Sequence, residues 1–182
     1  MLEHSRSTTG ERQPTDLNAL SEEYLRLAYH GFRRSGVPAK DKDFSAALNT
    51  DFDPNLDIIE VVPQEIGRVL LNLFNNAFYA VAQKPKQAFN GYQPTVSLRT
   101  QRTKDRVEIR VTDNGMGIPE GVRAKVFQPF FTTKPTSEGT GLDLSLSYDI
   151  ITKGRGGSLL VESQVGQSTE FIIDLAGTSV PA

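Results

Sequence analysis

The chain has 182 residues, a net charge near -2 and no cysteine. This length suits one domain with its own core, and the mean hydropathy of -0.35 is typical of a soluble globular protein. The balanced charge gives no reason to expect nucleic acid or an anionic membrane as partner, and the lack of cysteine excludes disulfides, thiolate metal sites and thiol nucleophiles. We therefore expect a soluble, cytoplasmic domain in a reducing compartment.

The chain begins with a polar segment that is followed by a helix signal. Residues 5–16 combine polar side chains with one glycine and one proline, a composition typical of a linker. Asp16 suits a helix N-cap, and apolar residues then recur at intervals of three and four as far as Ala28. We predict a linker and then a helix that ends near Gly36.

Two strands and a long helix are predicted next. The segments 44–52 and 57–61 are strand-like and flank a turn, so we expect them to pair with each other. Pro63 suits the first position of a helix, and apolar residues at helical spacing continue to about Gln83.

A hairpin and a long irregular segment follow. Residues 95–100 and 106–112 alternate apolar and polar side chains, which predicts two strands joined around Lys104. Residues 113–141 are rich in Gly, Pro, Thr and Ser, with a short helical possibility near 119–126. This segment is longer than a simple connection between two elements usually is, so we expect it to have a binding function.

The remaining residues complete an alternating pattern of helices and strands. A helix is predicted over about 142–152, and two strands are predicted within 157–175. The tail, 177–182, is expected to fray. The pattern predicts one domain of mixed α and β structure over 15–176.

Two amides share one face of the predicted helix at 63–83. Asn72 and Asn76 are four residues apart, so both lie on the same side, opposite much of the apolar stripe. Amide oxygens are suitable ligands for Mg²⁺ when phosphates and water supply the remaining positions. The alternative is a solvated polar face with this spacing by chance.

The motif DNGMGIP begins where a predicted strand ends. A carboxylate at Asp113 can accept a hydrogen bond from an exocyclic adenine amine, while Gly115 and Gly117 allow the backbone to approach a ligand closely. The alternative is a simple Asp-Asn-Gly turn.

Two further motifs point to phosphate. EGTGLDLS places glycines directly before a predicted helix, whose free N–H groups attract an anion. FQPFFTTK combines three phenylalanines with Lys134, which could reach a terminal phosphate. The alternatives are a capped flexible loop for the first motif and a solvated lysine for the second.

Taken together, these four segments resemble the nucleotide site of the Bergerat-fold ATPases, and especially that of histidine kinases. LLNLFNNA resembles the N box, DNGMG the first glycine box, FQPFFTTK the phenylalanine box and GTGLDLS the second glycine box. The resemblance covers about residues 15–175. It implies a two-layer α/β sandwich of the α+β class, in which three helices back a mixed, mainly antiparallel sheet, with an ATP lid over about 115–141.

The resemblance also implies ATP and Mg²⁺ as cofactors and assigns roles to residues. Asn76 would be the metal ligand, Asn72 would bind the nucleotide as its helper at the phosphates, and Asp113 would recognise adenine. The predicted catalytic residues are Asn72 and Lys134. Phe130 would hold the lid down. The remaining predicted nucleotide-binding residues are Tyr79, Gly115, Gly117, Ile118, Phe131, Thr132, Thr133, Gly139, Thr140, Gly141 and Leu142. For Tyr79, ordinary packing is the alternative, and for Phe131 the alternative is that it holds the lid down together with Phe130 instead of touching ATP.

The residue type at Asn72 separates a kinase from a hydrolase. In gyrase, MutL and the heat-shock chaperones, which hydrolyse ATP, a glutamate at the matching place activates water. Asparagine cannot take a proton at neutral pH, so the site favours phosphoryl transfer to a histidine. An ATP hydrolase of the same fold stays open as an alternative.

The phosphate acceptor is expected outside this chain. Only His4 and His30 are present, and neither has the sequence context of the family's phosphoacceptor. We therefore expect residues 1–14 to be the remnant of an upstream dimerisation hairpin and linker. The expected partners are a histidine-bearing dimerisation domain, normally in the same polypeptide, and indirectly a response-regulator receiver domain. The isolated chain should be mainly monomeric.

One residue departs from the family pattern. The second glycine box usually ends in a glycine where this chain has Asp143. A carboxylate beside a triphosphate repels it, and a side chain at a close-approach position can clash. A degenerate kinase-like module with weakened or lost ATP binding is therefore the second hypothesis.

Overall fold

A computed structural model of the chain describes residues 10–36, 44–84, 91–132, 143–153 and 156–177. In chain order, the strands are β1 (Gln13–Thr15), β2 (Ala47–Asp51), β3 (Ile59–Val61), β4 (Thr95–Thr103), β5 (Arg106–Asp113), β6 (Ser158–Gln164) and β7 (Ser168–Ala176). The helices are α1 (Leu17–Gly31), α2 (Pro63–Gln83), α3 (Glu120–Arg123) and α4 (Asp143–Lys153), and a π-helical turn, Phe32–Gly36, follows α1 directly.

The main sheet has five strands in the order β2-β4-β5-β7-β6. β2 runs parallel to β4, whereas the other three pairs in this sheet are antiparallel. β1 and β3 form a separate two-stranded antiparallel sheet. The predicted mixed, mainly antiparallel sheet is confirmed.

The helices cover one face of this sheet, with α2 in the middle. α2 contacts α1 on one side and α4 on the other, and it packs on β4 and β5. Its fully buried side chains Leu70, Leu73, Phe74 and Phe78 meet inward-facing residues of the sheet such as Ile109. None of the helices in the described parts of the chain has the length and apolar character needed to cross a bilayer.

The predicted element boundaries hold where local chemistry sets them. The Asp16 carboxylate accepts a hydrogen bond from the Ala19 N–H at 3.1 Å, which caps the start of α1. Pro63 is the first residue of α2, and Gln83 is the last, as predicted. The β4–β5 hairpin turns at Lys104, whose φ of 54° is the left-handed conformation that a tight turn requires.

One prediction for the first third of the chain is wrong. β2 and β3 do not pair with each other: β2 lies beside β4, and β3 pairs with β1. The turn after β2 is fixed to β4 instead, because Asp53 accepts the Arg102 N–H at 2.8 Å and donates its own N–H to Thr100 at 3.0 Å. Within the predicted linker, Gln13–Thr15 forms β1.

Candidate nucleotide site

A cavity of about 370 Å³ lies where the middle of α2 meets the end of β5, the start of α4 and β7. The predicted site residues that line it are Asn76, Tyr79, Asp113, Gly117, Ile118, Phe131 and Thr132. The structure thus brings Asp113 and Asn76 to a single cavity from two different elements.

Asp113 is the last residue of β5 and is only 4% exposed. Its carboxylate accepts the Gly115 N–H at 2.9 Å. Burial raises the pKa of Asp113 to about 7, against the opposing effects of the Gly115 N–H and the positive charge of Lys84. A buried carboxyl group that lines a cavity and has a perturbed pKa is a candidate for ligand recognition.

The two glycines after Asp113 are required by close packing. A Cβ at Gly115 would lie 2.8 Å from the carbonyl oxygen of Ala80 on α2. Gly117 has a φ of +78°, and a Cβ there would meet the Gln164 carbonyl. The glycines therefore let the segment after β5 lie directly on α2 and on the β6–β7 hairpin. Gly115 itself is not among the residues that line the cavity.

The polar face of α2 contributes some residues to the cavity and others to the contact with α4. Asn76 and Tyr79 line the cavity. Asn72, one turn earlier, donates from its side-chain amide to the Asp143 carbonyl at 3.2 Å and to the Ser147 hydroxyl at 3.1 Å. Asn72 is not among the lining residues, and its contacts hold the first turn of α4 against α2.

The phenylalanine-rich segment contributes through two of its three rings. Phe131 lines the cavity, whereas Phe127 stacks on Tyr148 with ring centroids 5.1 Å apart. The rings of Phe127 and Phe171 also meet in a T-shaped arrangement, with ring centroids 6.2 Å apart. Phe130 is 74% exposed at a φ of 66°, so the expectation that it holds this segment down is wrong, and Phe127 is the ring that anchors it.

Six predicted site residues lie outside the described residues. They are Thr133, Lys134, Gly139, Thr140, Gly141 and Leu142. The same holds for the whole of the predicted lid beyond Thr132.

Several lining residues could not be predicted from the sequence. Apolar or small lining groups come from α2, from the segment after β5, from α4 and from β7: Ala80, Met116, Pro119, Val122, Val126, Leu144 and Phe171. Two polar residues, Gln83 and Thr169, were also missed. Thr169 is the direct cross-strand partner of Asp113. Its place at the cavity depends on the register of the β5–β7 pairing, which the sequence does not reveal.

The donor set of the cavity fits a magnesium ion that keeps phosphate and water ligands. Asn76 brings an amide oxygen and Asp143 a carboxylate, both of which are hard oxygen donors. The described residues contain no group of three or more His, Cys, Asp or Glu that could hold a metal alone. Such a set suits an ion bound together with a nucleotide rather than a complete protein cage.

Comparison with known proteins points to one family. Residues 61–178 match the family model for histidine kinase-, DNA gyrase B- and HSP90-like ATPases. The chain is 34% identical over 96% of its length to the signal transduction histidine-protein kinase AtoS of Escherichia coli, covering 26% of that protein. It is 32% identical over 88% of its length to the sensor protein FixL of Bradyrhizobium diazoefficiens, covering 28% of that protein. The chain thus spans about a quarter of the length of these curated relatives.

The fold has a close counterpart among solved structures. The catalytic domain of histidine kinase ThkA, in a nucleotide-free form, superposes with a TM-score of 0.72 and 28% identity, over 93% of this chain and 97% of that one. The family match includes all of the cavity-lining residues, from α2 through β7. The chain therefore belongs to the histidine kinase-, DNA gyrase B- and HSP90-like ATPase family, and within it to the ATP-binding catalytic domains of sensor histidine kinases.

Proposed function

We propose that this chain binds ATP with Mg²⁺ in the cavity between α2, β5 and α4, and presents the γ-phosphate to a histidine carried by another domain. The observation that carries the proposal is that Asp113 and Asn76 line the same cavity. A base-recognising carboxylate and a metal-binding amide can therefore act on the two ends of one nucleotide.

Asp113 forms the base end of the proposed site. Its charged carboxylate can accept a hydrogen bond from the exocyclic amine of adenine. Apolar side chains near it, including Met116, Ile118 and Phe171, offer a surface on which a purine ring loses contact with water. Burial makes this hydrogen bond stronger than it would be in water.

Asn76 forms the phosphate end. A magnesium ion held there would neutralise charge that develops on the transferring phosphoryl group. Asn76 would hold it through its amide oxygen, and Asp143, which lines the same cavity, can supply a second oxygen. Lys134 stays a prediction as the cation at the terminal phosphate.

The contacts of Asn72 favour transfer over hydrolysis. Its amide nitrogen donates to α4, and an amide has no basic group that could take a proton from water. We therefore propose that Asn72 positions α4 beside the phosphates and leaves ATP stable until an acceptor arrives. A histidine-bearing dimerisation domain is the proposed direct partner, and a receiver domain an indirect one.

Asp143 favours a second candidate function. Asp143 is one of the residues that line the cavity, so its negative charge lies close to the space proposed for the phosphates. A domain in which this repulsion prevails over the metal would be a kinase-like module that works through protein contacts.

Calorimetric titration with a non-hydrolysable ATP analogue separates these functions. We expect micromolar binding by the present chain with Mg²⁺ and much weaker binding without it. Binding by Asp143→Gly but not by the present chain would support the silent module. Absence of binding by both proteins would overturn the proposed nucleotide site.

Two activity measurements then distinguish kinase from hydrolase. Steady phosphate release by the isolated chain, abolished in Asn72→Ala, would support the hydrolase. We expect no such release, and we expect acid-labile labelling of a histidine when the chain is joined to its histidine-bearing domain and given γ-labelled ATP.

A further inference from the structure

Lys84 is a buried lysine directly behind the base end of the cavity. It follows the last residue of α2 and is only 8% exposed. Its ammonium group donates to the carbonyl of Asn114 at 3.2 Å and to the carbonyl of Gly166 at 3.2 Å. These bonds join the end of α2 to the residue after Asp113 and to the β6–β7 turn.

The surroundings of Lys84 fix its position. The ammonium nitrogen lies 4.5 Å from the ring centroid of Tyr92. The Tyr92 hydroxyl donates to the side-chain oxygen of Asn114 at 3.2 Å, and the same oxygen accepts the Thr95 N–H at 2.8 Å. The side-chain nitrogen of Asn114 donates to the Gln93 carbonyl at 2.8 Å. Asn114 is therefore bound on several sides, which restricts Asp113 beside it.

Three titratable groups meet here among the described residues. Asp113 comes from β5, Lys84 from the end of α2 and Tyr92 from the segment before β4. Burial raises the pKa of Asp113, and the charge of Lys84 lowers it. Burial, with a smaller effect from the Asp113 charge, raises the pKa of Tyr92, so Tyr92 stays neutral. Lys84 is thus the positive group that favours a charged Asp113.

We propose that Lys84 is a positioning residue for base selection, which keeps the Asp113 carboxylate charged and its turn in place from outside the cavity. This inference rests on the proposed nucleotide site. A charged Asp113 accepts a hydrogen bond from an amine, whereas a protonated Asp113 carries a hydroxyl that can donate to a carbonyl. Lys84 would therefore set the preference for adenine over hypoxanthine, which has a carbonyl in place of the amine.

Three substitutions separate the charge of Lys84 from its hydrogen bonds. Lys84→Arg keeps the charge, Lys84→Gln keeps a hydrogen-bond donor without the charge, and Lys84→Met removes both. Thermal unfolding of each variant identifies any that does not fold, and a comparison of Lys84→Gln with the unmodified chain suffices if the bulkier arginine is not accommodated.

The first measurement is the ratio of ADP to IDP affinity, with Mg²⁺, between pH 6 and pH 8. The ratio cancels the ionisation of the phosphates, which the two nucleotides share. In the unmodified chain we expect the preference for ADP to grow as pH rises through about 7. In Lys84→Gln and Lys84→Met we expect the midpoint of this change to lie about one pH unit higher. The preference for ADP over IDP at pH 7 should then fall by up to about tenfold. Lys84→Arg should restore the original profile.

The second measurement is independent of nucleotide. The side-chain carboxyl ¹³C signal of Asp113, assigned by its loss in Asp113→Asn, reports the protonation of this group in the free protein. We expect the midpoint to rise in Lys84→Gln and Lys84→Met but not in Lys84→Arg.

The outcomes distinguish this inference from the proposed function. If neither nucleotide binds the unmodified chain, the proposed nucleotide site and the base-selection role fail together, whatever the carboxyl signal shows. If ADP binds but Lys84→Gln leaves both the profile and the carboxyl midpoint unchanged, the role of Lys84 is overturned. An equal loss of ADP and IDP affinity at every pH would also overturn it, because that result indicates only a structural role.

Discussion

Asp113 on β5 and Thr169 on β7 face each other as direct cross-strand partners, and both are almost fully buried. The Thr169 hydroxyl lies 3.1 Å from that of Ser163, which accepts the Ile118 N–H at 2.6 Å. The carboxyl group and the hydroxyl form a small polar area at the end of an apolar core. Burial at this place raises the pKa of Asp113, and we expect the shift to affect stability.

We expect the stability of the domain to fall as pH rises, because of the titration of Asp113. Burial raises its pKa from 3.8 to about 7, so between these values the folded state holds a proton that the unfolded chain has released. The free energy of unfolding of the nucleotide-free domain therefore decreases from about pH 4 to about pH 7, by at most roughly 4 kcal/mol. Asp113→Asn should remove this contribution.

Urea unfolding of the unmodified chain and of Asp113→Asn at pH 5, 6, 7 and 8 gives the pH dependence of the unfolding free energy of each protein, and the difference between the two pH dependences. Because other groups titrate equally in both proteins, the difference isolates Asp113. Parallel pH profiles for the two proteins would contradict the burial argument.

Asn76→Ala should weaken nucleotide binding in the presence of Mg²⁺ by at least about tenfold, since even outer contacts of a metal site are worth that much. In the absence of Mg²⁺ the substitution should have little effect on affinity. Asn75→Ala is the matched control, because Asn75 is exposed on the same helix and is not a lining residue. Equal losses in both variants, measured by calorimetry, would argue against a metal site at Asn76.

Gly115→Ala should destabilise the domain and weaken nucleotide binding together. The new methyl group would meet the Ala80 carbonyl oxygen at 2.8 Å and the Ala80 Cβ at 2.9 Å, so the segment after β5 must move away from α2. We expect a loss of about 1–3 kcal/mol in unfolding free energy. Gly121→Ala, where a methyl group meets nothing within 4 Å, should leave stability unchanged or raise it by up to about 1 kcal/mol.

Phe127→Ala should cost far more stability than Phe130→Ala. Phe127 packs on Tyr148 and Phe171, and because it is only partly buried we expect a loss of roughly 2 kcal/mol. Phe130 is 74% exposed, so its removal should change stability by less than about 0.5 kcal/mol. Chemical unfolding of the two variants measures both values. A larger loss at Phe130 would show that this ring packs against the domain in solution.

The elements that sequence predicted well are those whose boundaries depend on local chemistry. The Asp16 cap, Pro63 at the start of α2 and the turn at Lys104 each act within a few residues of the chain. The face of α2 that carries Asn76 was also predictable, because helical spacing separates it from the apolar stripe.

The features that sequence missed depend on contacts between distant segments. β2 pairs with β4 because of interactions such as that of Asp53 with Arg102, 49 residues away. Thr169 reaches the cavity only through the register of β7 against β5, and no local pattern reveals that register. The hydrogen bonds of Asn72 to α4 could not be predicted for a similar reason, because Asp143 and Ser147 lie more than 70 residues along the chain.

The two sides of α2 link the stability of the fold to ligand binding in the cavity. One side supplies buried residues to the centre of the protein, and the other lines the cavity through Asn76 and Tyr79. A ligand that binds the second side only in the folded state must raise the melting temperature, by an amount equivalent to about 2.7 kcal/mol at one hundred times its dissociation constant. Heating the domain with a series of small molecules would therefore rank them as occupants, without any assay of catalysis.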